Sequence, residues 1–192
     1  MRLISQISQL IMLLWMAVFL LWAITALASK RTIHSLSEGQ SRVAVWVVWI
    51  AWWLLFSHGF RRPPLASRFV PMTPATAYIG LAITVAGLAF SVWARFSIGR
   101  NWSPLIHLKE DHQLIRSGPY GIVRHPIYSG FMLATLGTAI AFGEWSGLLA
   151  FVLIVTAWGY KARLEENAMA EQFGTEYERY RQSVKGLIPF IW

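Results

Sequence analysis

The sequence predicts an all-α fold: a polytopic membrane protein with about five transmembrane helices, the last two forming a short helical hairpin, followed by cytosolic C-terminal helices. Three observations carry this expectation. Of 192 residues, 56% are hydrophobic and only 14% are charged, whereas soluble domains carry about 25% charged residues. Mean hydropathy is +0.47. The Lys and Arg residues sit in the breaks between apolar runs instead of gathering on one polar segment, which is the pattern of a membrane protein with basic loops. That distribution argues against nucleic acid as a partner, in spite of a formal net charge of +8. Cysteine is absent, so a disulfide framework, a Cys-ligated zinc site and a thiol nucleophile are excluded.

A bilayer-spanning helix needs about 20 mostly apolar residues. The first run, residues 3–29, has no charge. Arg2 and the Ala26-Leu27-Ala28 pattern fit a signal peptide, but the apolar stretch is much longer than the roughly 7–15 residues of a signal core, and we expect a span. The second run, residues 43–60, holds Trp46, Trp49, Trp52 and Trp53 and ends at Arg61 and Arg62. The third, residues 69–94, has Pro71 and Pro74 at its entrance, where proline is tolerated at a helix start. Residues 95–125 are too polar to span. Gly143, Glu144 and Gly147 interrupt the last apolar block, which we read as two helices, residues 126–142 and 145–160. Five spans place residues 29–42, 95–125 and 161–192 on one side, with thirteen of the 17 Lys and Arg residues. Arg2, Arg61, Arg62 and Arg68 remain on the other. The positive-inside rule makes the richer side cytoplasmic, in the inner membrane if the chain is bacterial. The expected organisation is a three-helix transmembrane region, 1–94, and a catalytic region, 95–192, comprising a cofactor-binding loop, the hairpin and amphipathic C-terminal helices.

The polar chemistry flanks the hairpin, which brings both flanking segments to one membrane face. Gly118-Pro119-Tyr120 reads as a turn. Pro126 suits the first turn of a helix, with His125 at or near its N-cap beside free amides and the positive dipole end, a favourable place for an anion. Gly130 allows a ligand or a second helix to come close. Lys161 and Glu165 share a helix face. They form either a surface salt bridge with a snorkelling lysine, or a carboxylate for a ligand ammonium beside a cation for a ligand carboxylate. Tyr177 and Tyr180 are expected to pack a C-terminal helix onto the headgroup region, most of the 11 Trp residues to form an interfacial belt, and Glu144 to be solvated. His107, His112 and His125 are spaced by 5 and 13 residues, which matches no compact metal-ligand motif. No phosphate loop is present, since Gly118-Pro-Tyr-Gly121 lacks the following Lys-Ser/Thr.

The pattern Gly118-x-Tyr120-x-x-x-Arg124-His125-Pro126-x-Tyr128-x-Gly130 resembles the core of the isoprenylcysteine carboxyl methyltransferase family. So do Glu165-Glu166, Phe173-Gly174-x-x-Tyr177-x-x-Tyr180, the closing Ile188-Pro189-Phe190, and upstream Gly99-Arg-Asn101-Trp102-Ser103 and His112-Gln-Leu-Ile115. The resemblance covers about residues 95–192, and the five-span layout is similar to the short prokaryotic members. It implies S-adenosylmethionine as cofactor, lined by His112, Gln113, Leu114, Ile115, Tyr120, His125, Pro126, Ile127 and Tyr128, with Glu165 on the methionine ammonium. His125 and Tyr128 would position the reactants, without a catalytic base. The family's substrate-binding arginine falls at Lys161 here, a departure; Arg163 lies nearby, and both are substrate-binding candidates. A planar fork and a point charge are not equivalent carboxylate binders. The implied partners are membrane lipids and a lipophilic substrate arriving from the bilayer, methylated most simply on a carboxylate. The residues fix neither the acceptor atom nor the oligomeric state. Three other readings stay open: a phospholipid or small-lipid methyltransferase, a sterol-reductase-like enzyme binding NADPH through Arg116, Arg124 and Arg163, and a non-enzymatic membrane scaffold.

Overall fold

The computed structural model describes residues 2–27, 32–35, 38–57, 62–99, 102, 107–109 and 114–188. Six helices follow in order: α1 (Arg2–Ala26), α2 (Glu38–Phe56), α3 (Pro74–Ile98), α4 (Pro126–Phe142), α5 (Trp145–Phe173) and α6 (Thr175–Ser183). α1, α2, α3 and α5 are long and apolar enough to cross a membrane, and α4 is a shorter apolar helix. At 1.5 Å per residue the 17 residues of α4 rise about 25 Å, the lower limit for a span. The five-span layout therefore stands. One feature adds to the all-α expectation: β1 (Thr32–Ser35) and β2 (His107–Lys109) pair as a two-stranded antiparallel ribbon.

Local chemistry sets the helix ends. α3 starts at Pro74, five residues later than the apolar run, because Thr73 and Thr76 form a capping box there that satisfies two first-turn donors. α4 stops at Gly143, whose φ of 70° is left-handed, a conformation that glycine adopts without cost. The α4–α5 turn is clasped by the segment before α3: Phe69 N–H donates to Gly143 O (2.9 Å), Trp145 N–H to Ser67 O (3.1 Å) and Ser146 N–H to Leu65 O (3.1 Å). Glu144 is thus not simply a solvated tip residue; its backbone bridges to Arg68.

The closest packing joins α3 to α4. A Cβ on Gly87 would stand 2.4 Å from Ala134 N and 2.5 Å from Gly130 O, and one on Gly137 2.5 Å from Thr84 N, so only glycine allows this approach. Buried hydroxyls stitch the seam. Thr84 bonds Gly80 O (2.8 Å) and Thr138 (3.2 Å), Ser91 donates to Ile127 O (3.1 Å), and Trp15 Nε1 of α1 donates to Thr138 (3.0 Å). In lipid, where apolar burial does not drive helix association, close contact and such bonds hold helices together. The expected tryptophan belt is only partly realised. Trp46, Trp49, Trp53, Trp93 and Trp145 are exposed, but Trp15, Trp52 and Trp158 are buried. They form an aromatic core with Phe131, ring centroids 5.4–5.9 Å apart.

Candidate functional site

The hairpin itself brings the two polar segments level. α4 descends from residue 142 to 126 while α5 climbs from 145, so an equal rise along α5 reaches residue 161. Lys161 therefore stands beside Pro126, and the next turn carries Glu165 and Glu166 past the start of α4. α5 does not end at residue 160 as its polarity implied; it continues unbroken to Phe173. Its polar turn, expected as helix from the Lys161–Glu165 spacing, is thus one piece with the span.

On this platform five charges interlock. Tyr128 Oη donates to Glu165 Oε1 at 2.6 Å. Lys161 Nζ lies 3.5 Å from the same oxygen and 5.4 Å over the Tyr128 ring. His125 Nδ1 faces Glu165 Oε2 at 3.5 Å, and its Nε2 donates to Glu166 Oε1 at 3.1 Å. Arg124 Nε and Nη2 both donate to Glu166 Oε1, at 2.9 and 2.5 Å. The rings are ordered as a stack, His125 on Tyr128 (5.6 Å, 3°) and Tyr128 on Trp158 (5.4 Å, 16°). Burial disfavours a charged His125, but its hydrogen bonds to Glu165 and Glu166 outweigh that and raise its pKa.

Behind the site a strap closes from the C-terminal side. Val123 and Lys185 form a parallel bridge, Arg124 N–H donates to Lys185 O (2.8 Å) and His125 N–H to Gly186 O (3.0 Å). A cavity of about 130 Å³ lies between strap and α5, lined by Arg124, His125, Ala162, Arg163, Glu166, Gly186 and Leu187. Small-molecule pockets run from about 300 Å³ upward, so this cavity is too small to enclose a whole nucleoside-sized ligand.

The structure thus joins His125, Tyr128, Lys161 and Glu165, with Pro126 and Ile127 in the first turn of α4. His125 is the N-cap and makes no side-chain cap. Pro126 has no N–H, and the amides of Ile127 and Tyr128 have no carbonyl a turn earlier. Tyr120 is buried in a short 3-10 turn, Gly118–Gly121, and its carbonyl accepts from Tyr180 Oη at 2.6 Å. Burial pushes the Tyr180 phenol up to about 12. Tyr177 and Tyr180 hence pack into protein, not onto headgroups; both are at most 5% exposed. Leu114 and Ile115 are half-buried, while His112 and Gln113 lie outside the described residues. Lys161 does not snorkel: its side chain is 5% exposed. Arg163 is exposed and borders the cavity. Sequence reasoning gave Trp158 no part in the site and named Arg124 and Glu166 as motif positions, without pairing them. The signals for the last two were their adjacency to His125 and Glu165 and their opposite charge. Arg124 is thereby engaged within the protein, which weakens its reading as a phosphate ligand for NADPH, whereas Arg116 pairs with Glu176 at 2.9 Å on the surface.

Comparison with known proteins covers this same region. A family model described as phospholipid methyltransferase matches residues 75–176, from α3 into α6. A probable protein-S-isoprenylcysteine O-methyltransferase of Oryza sativa subsp. indica is 33% identical over 120 residues, 60% of this chain and 62% of that protein. The protein-S-isoprenylcysteine O-methyltransferase of Saccharomyces cerevisiae is 29% identical over 182 residues, 90% of this chain and 75% of that one. A solved structure of the eukaryotic intramembrane Ras methyltransferase, isoprenylcysteine carboxyl methyltransferase, superposes with a TM-score of 0.54 at 26% identity, covering 81% of this chain and 54% of that chain. The match to the Oryza sativa relative thus spans about three fifths of that protein's length.

Proposed function

The chain belongs to the phospholipid methyltransferase family, with the isoprenylcysteine carboxyl methyltransferases as its matched members, and on that premise we propose that it is a multi-pass membrane methyltransferase. In this reading it uses S-adenosylmethionine and transfers methyl to a carboxylate on a lipophilic acceptor. The observation that carries the reading is the 3.5 Å approach of His125 to Glu165, which puts an uncapped helix start and a carboxylate side by side. That pair fits the amino-acid end of the donor: Glu165 receives the ammonium, and the amides of Ile127 and Tyr128 receive the carboxylate. His112, Gln113, Leu114, Ile115 and Tyr120 line the nucleoside side, and Pro126 fixes the first turn.

When bound, S-adenosylmethionine supplies a methyl group already activated on a sulfonium. The chain's own task is alignment and exclusion of water. Tyr128 is held between the His125 and Trp158 rings, which fixes its Oη on Glu165 and keeps that carboxylate in place for the ammonium. Lys161 and Arg163 supply positive charge for the acceptor carboxylate. Such a carboxylate is nucleophilic at neutral pH, so no general base is required. Residues 95–192 form the catalytic region on the cytoplasmic face, residues 1–94 anchor it, and the acceptor arrives through the bilayer.

Purified protein in detergent is incubated with methyl-labelled S-adenosylmethionine and a panel of prenylated cysteines, aminophospholipids and sterols. We expect base-labile label on a prenylated cysteine. Base-stable label on an aminophospholipid would replace carboxyl transfer by amine transfer. Stabilisation by NADPH and not by S-adenosylhomocysteine would reject methyl transfer.

A further inference from the structure

Arg124 and Glu166 have been given no part in holding donor or acceptor, yet each is held by three or more side-chain hydrogen bonds. Arg124 uses its whole fork. Nε and Nη2 converge on Glu166 Oε1, and Nη1 donates to the carbonyls of Arg181 and Val184. The strap that supplies these carbonyls also takes the backbone amides of Arg124 and His125. Glu166 is in this way fixed from the C-terminal side of the fold. The oxygen that accepts from Arg124 also accepts from His125 Nε2.

His125 then has no freedom. Its ring lies within 3° of the Tyr128 plane, with Glu166 at one nitrogen and Glu165 at the other. Carboxylates only accept, and a neutral imidazole has one donor; both contacts are satisfied together only by the imidazolium. The charged and titratable groups facing it are Glu165, Glu166, Lys161 and, across the shared cavity, Arg163 from α5, Tyr128 from α4 and Arg124 from its own segment. The strap faces it with backbone, and Lys185 points outward as an exposed residue.

We propose that Arg124 and Glu166 are a positioning pair: anchored by the C-terminal strap, they hold His125 as a fixed imidazolium and, through it, set the orientation of the donor-binding carboxylate Glu165. The proposal rests on the reading of Glu165 as the donor's ammonium partner. It makes the strap a working part of the site, because the arginine fork that grips Glu166 is shared with the strap's carbonyls. A lysine at position 124 keeps the charge but cannot make these bonds together.

The test has two readouts. In the first, the His125 ring Cε1–H signal, assigned by its loss in His125→Gln, is titrated by NMR in detergent micelles. Wild-type His125 should titrate above 6.5, and Glu166→Gln and Arg124→Lys should each lower the midpoint by about one unit or more. In the second, S-adenosylhomocysteine binding is measured by calorimetry. Both variants should raise its dissociation constant about tenfold or more, with KM for the donor moving further than kcat. Glu171→Gln, exposed on the same helix, should change neither. An unmoved His125 midpoint in Glu166→Gln overturns the pair whatever the donor does. A moved midpoint with unchanged donor affinity overturns the link to Glu165. A moved midpoint in a protein that binds no S-adenosylhomocysteine even as wild type keeps the pair's grip on His125 and overturns the donor reading instead. If Arg124→Lys fails to fold, Glu166→Gln decides alone.

Discussion

Replacing Glu165 by Gln should destabilise the protein, and removing Lys161 as well should restore it. The site holds Arg124, His125 and Lys161 against Glu165 and Glu166. Glu165→Gln leaves three cations facing one carboxylate, and Lys161 has little recourse to water, being 5% exposed at its side chain. Unit charges 3.5 Å apart attract by about 5 kcal/mol at an effective dielectric of about 20. Desolvation cancels part of this, and breaking one side of a buried pair costs about 3–5 kcal/mol in practice. Glu165 is itself 20% exposed, so we set the net loss at about 2–3 kcal/mol. For a chain of this size that lowers the melting temperature by about 5–10 °C. Lys161→Met combined with Glu165→Gln removes both charges and should recover most of the difference, since paired removal is often near neutral. Intrinsic tryptophan fluorescence during heating in detergent reads the melts, and S-adenosylhomocysteine should stabilise neither variant. The reasoning fails if Glu165→Gln melts with wild type, or if the double variant melts no higher than the single one.

Three other expectations follow from separate parts of the molecule. Gly87→Leu should cost about 3 kcal/mol or more and lower the yield of folded protein on size-exclusion chromatography, because the added Cβ meets Ala134 N at 2.4 Å. Gly39→Ala, with nothing within 4 Å, should be silent. Arg95 bonds Gly99 O (2.7 Å) and Thr25 O (2.8 Å) beneath the Trp102 ring, placing one cation at the C-terminal ends of both α1 and α3. Arg95→Met should speed hydrogen exchange in the last turn of each helix while the centre of α4 stays protected. The raised pKa of His125 carries a definite sign: its stabilisation is complete below the ordinary value of 6.5 and is lost as pH rises through the elevated folded value. Melting temperature should therefore fall over that window in wild type, and the slope should flatten in His125→Gln.

The spans were legible because length and apolarity decide them, and the hairpin break at Gly143 was legible because glycine and a charge interrupt an apolar run. The end of α5 was not. Lys161, Arg163, Glu165 and Glu166 read as the end of a span, yet Lys, Ala, Arg, Leu and Glu are strong helix formers; polarity ends a membrane crossing, and backbone propensity ends a helix. Arg95 was misplaced for the same reason: counted among polar-segment cations, it lies inside α3 at 3% exposure. The buried tryptophans escaped because α2 is apolar on every side, so its sequence does not say which of Trp49, Trp52 or Trp53 turns inward. His125, Tyr128, Lys161 and Glu165 were within reach since a helix start and an i,i+4 spacing are local signals. Arg124 with Glu166 was not, because that pairing depends on a strap 60 residues away in sequence.

The length of α4 ties these features to the chemistry of the acceptor. A helix rising about 25 Å is shorter than the roughly 30 Å hydrocarbon core, so in the proposed five-span arrangement, with the turn at Gly143 at one surface, the start of α4 at His125 would lie at the depth of the opposite one. Charges at that depth persist only when they satisfy each other, and here each carboxylate oxygen that bonds is answered by a cation or a phenol. An extended soluble domain would allow such a cluster without that constraint. A water-soluble acceptor gains nothing from a site sunk to this level, whereas a molecule with its tail in the lipid and its carboxylate at the surface arrives there already oriented. The shortness of α4, more than any single side chain, is what supports the lipophilic acceptor proposed above.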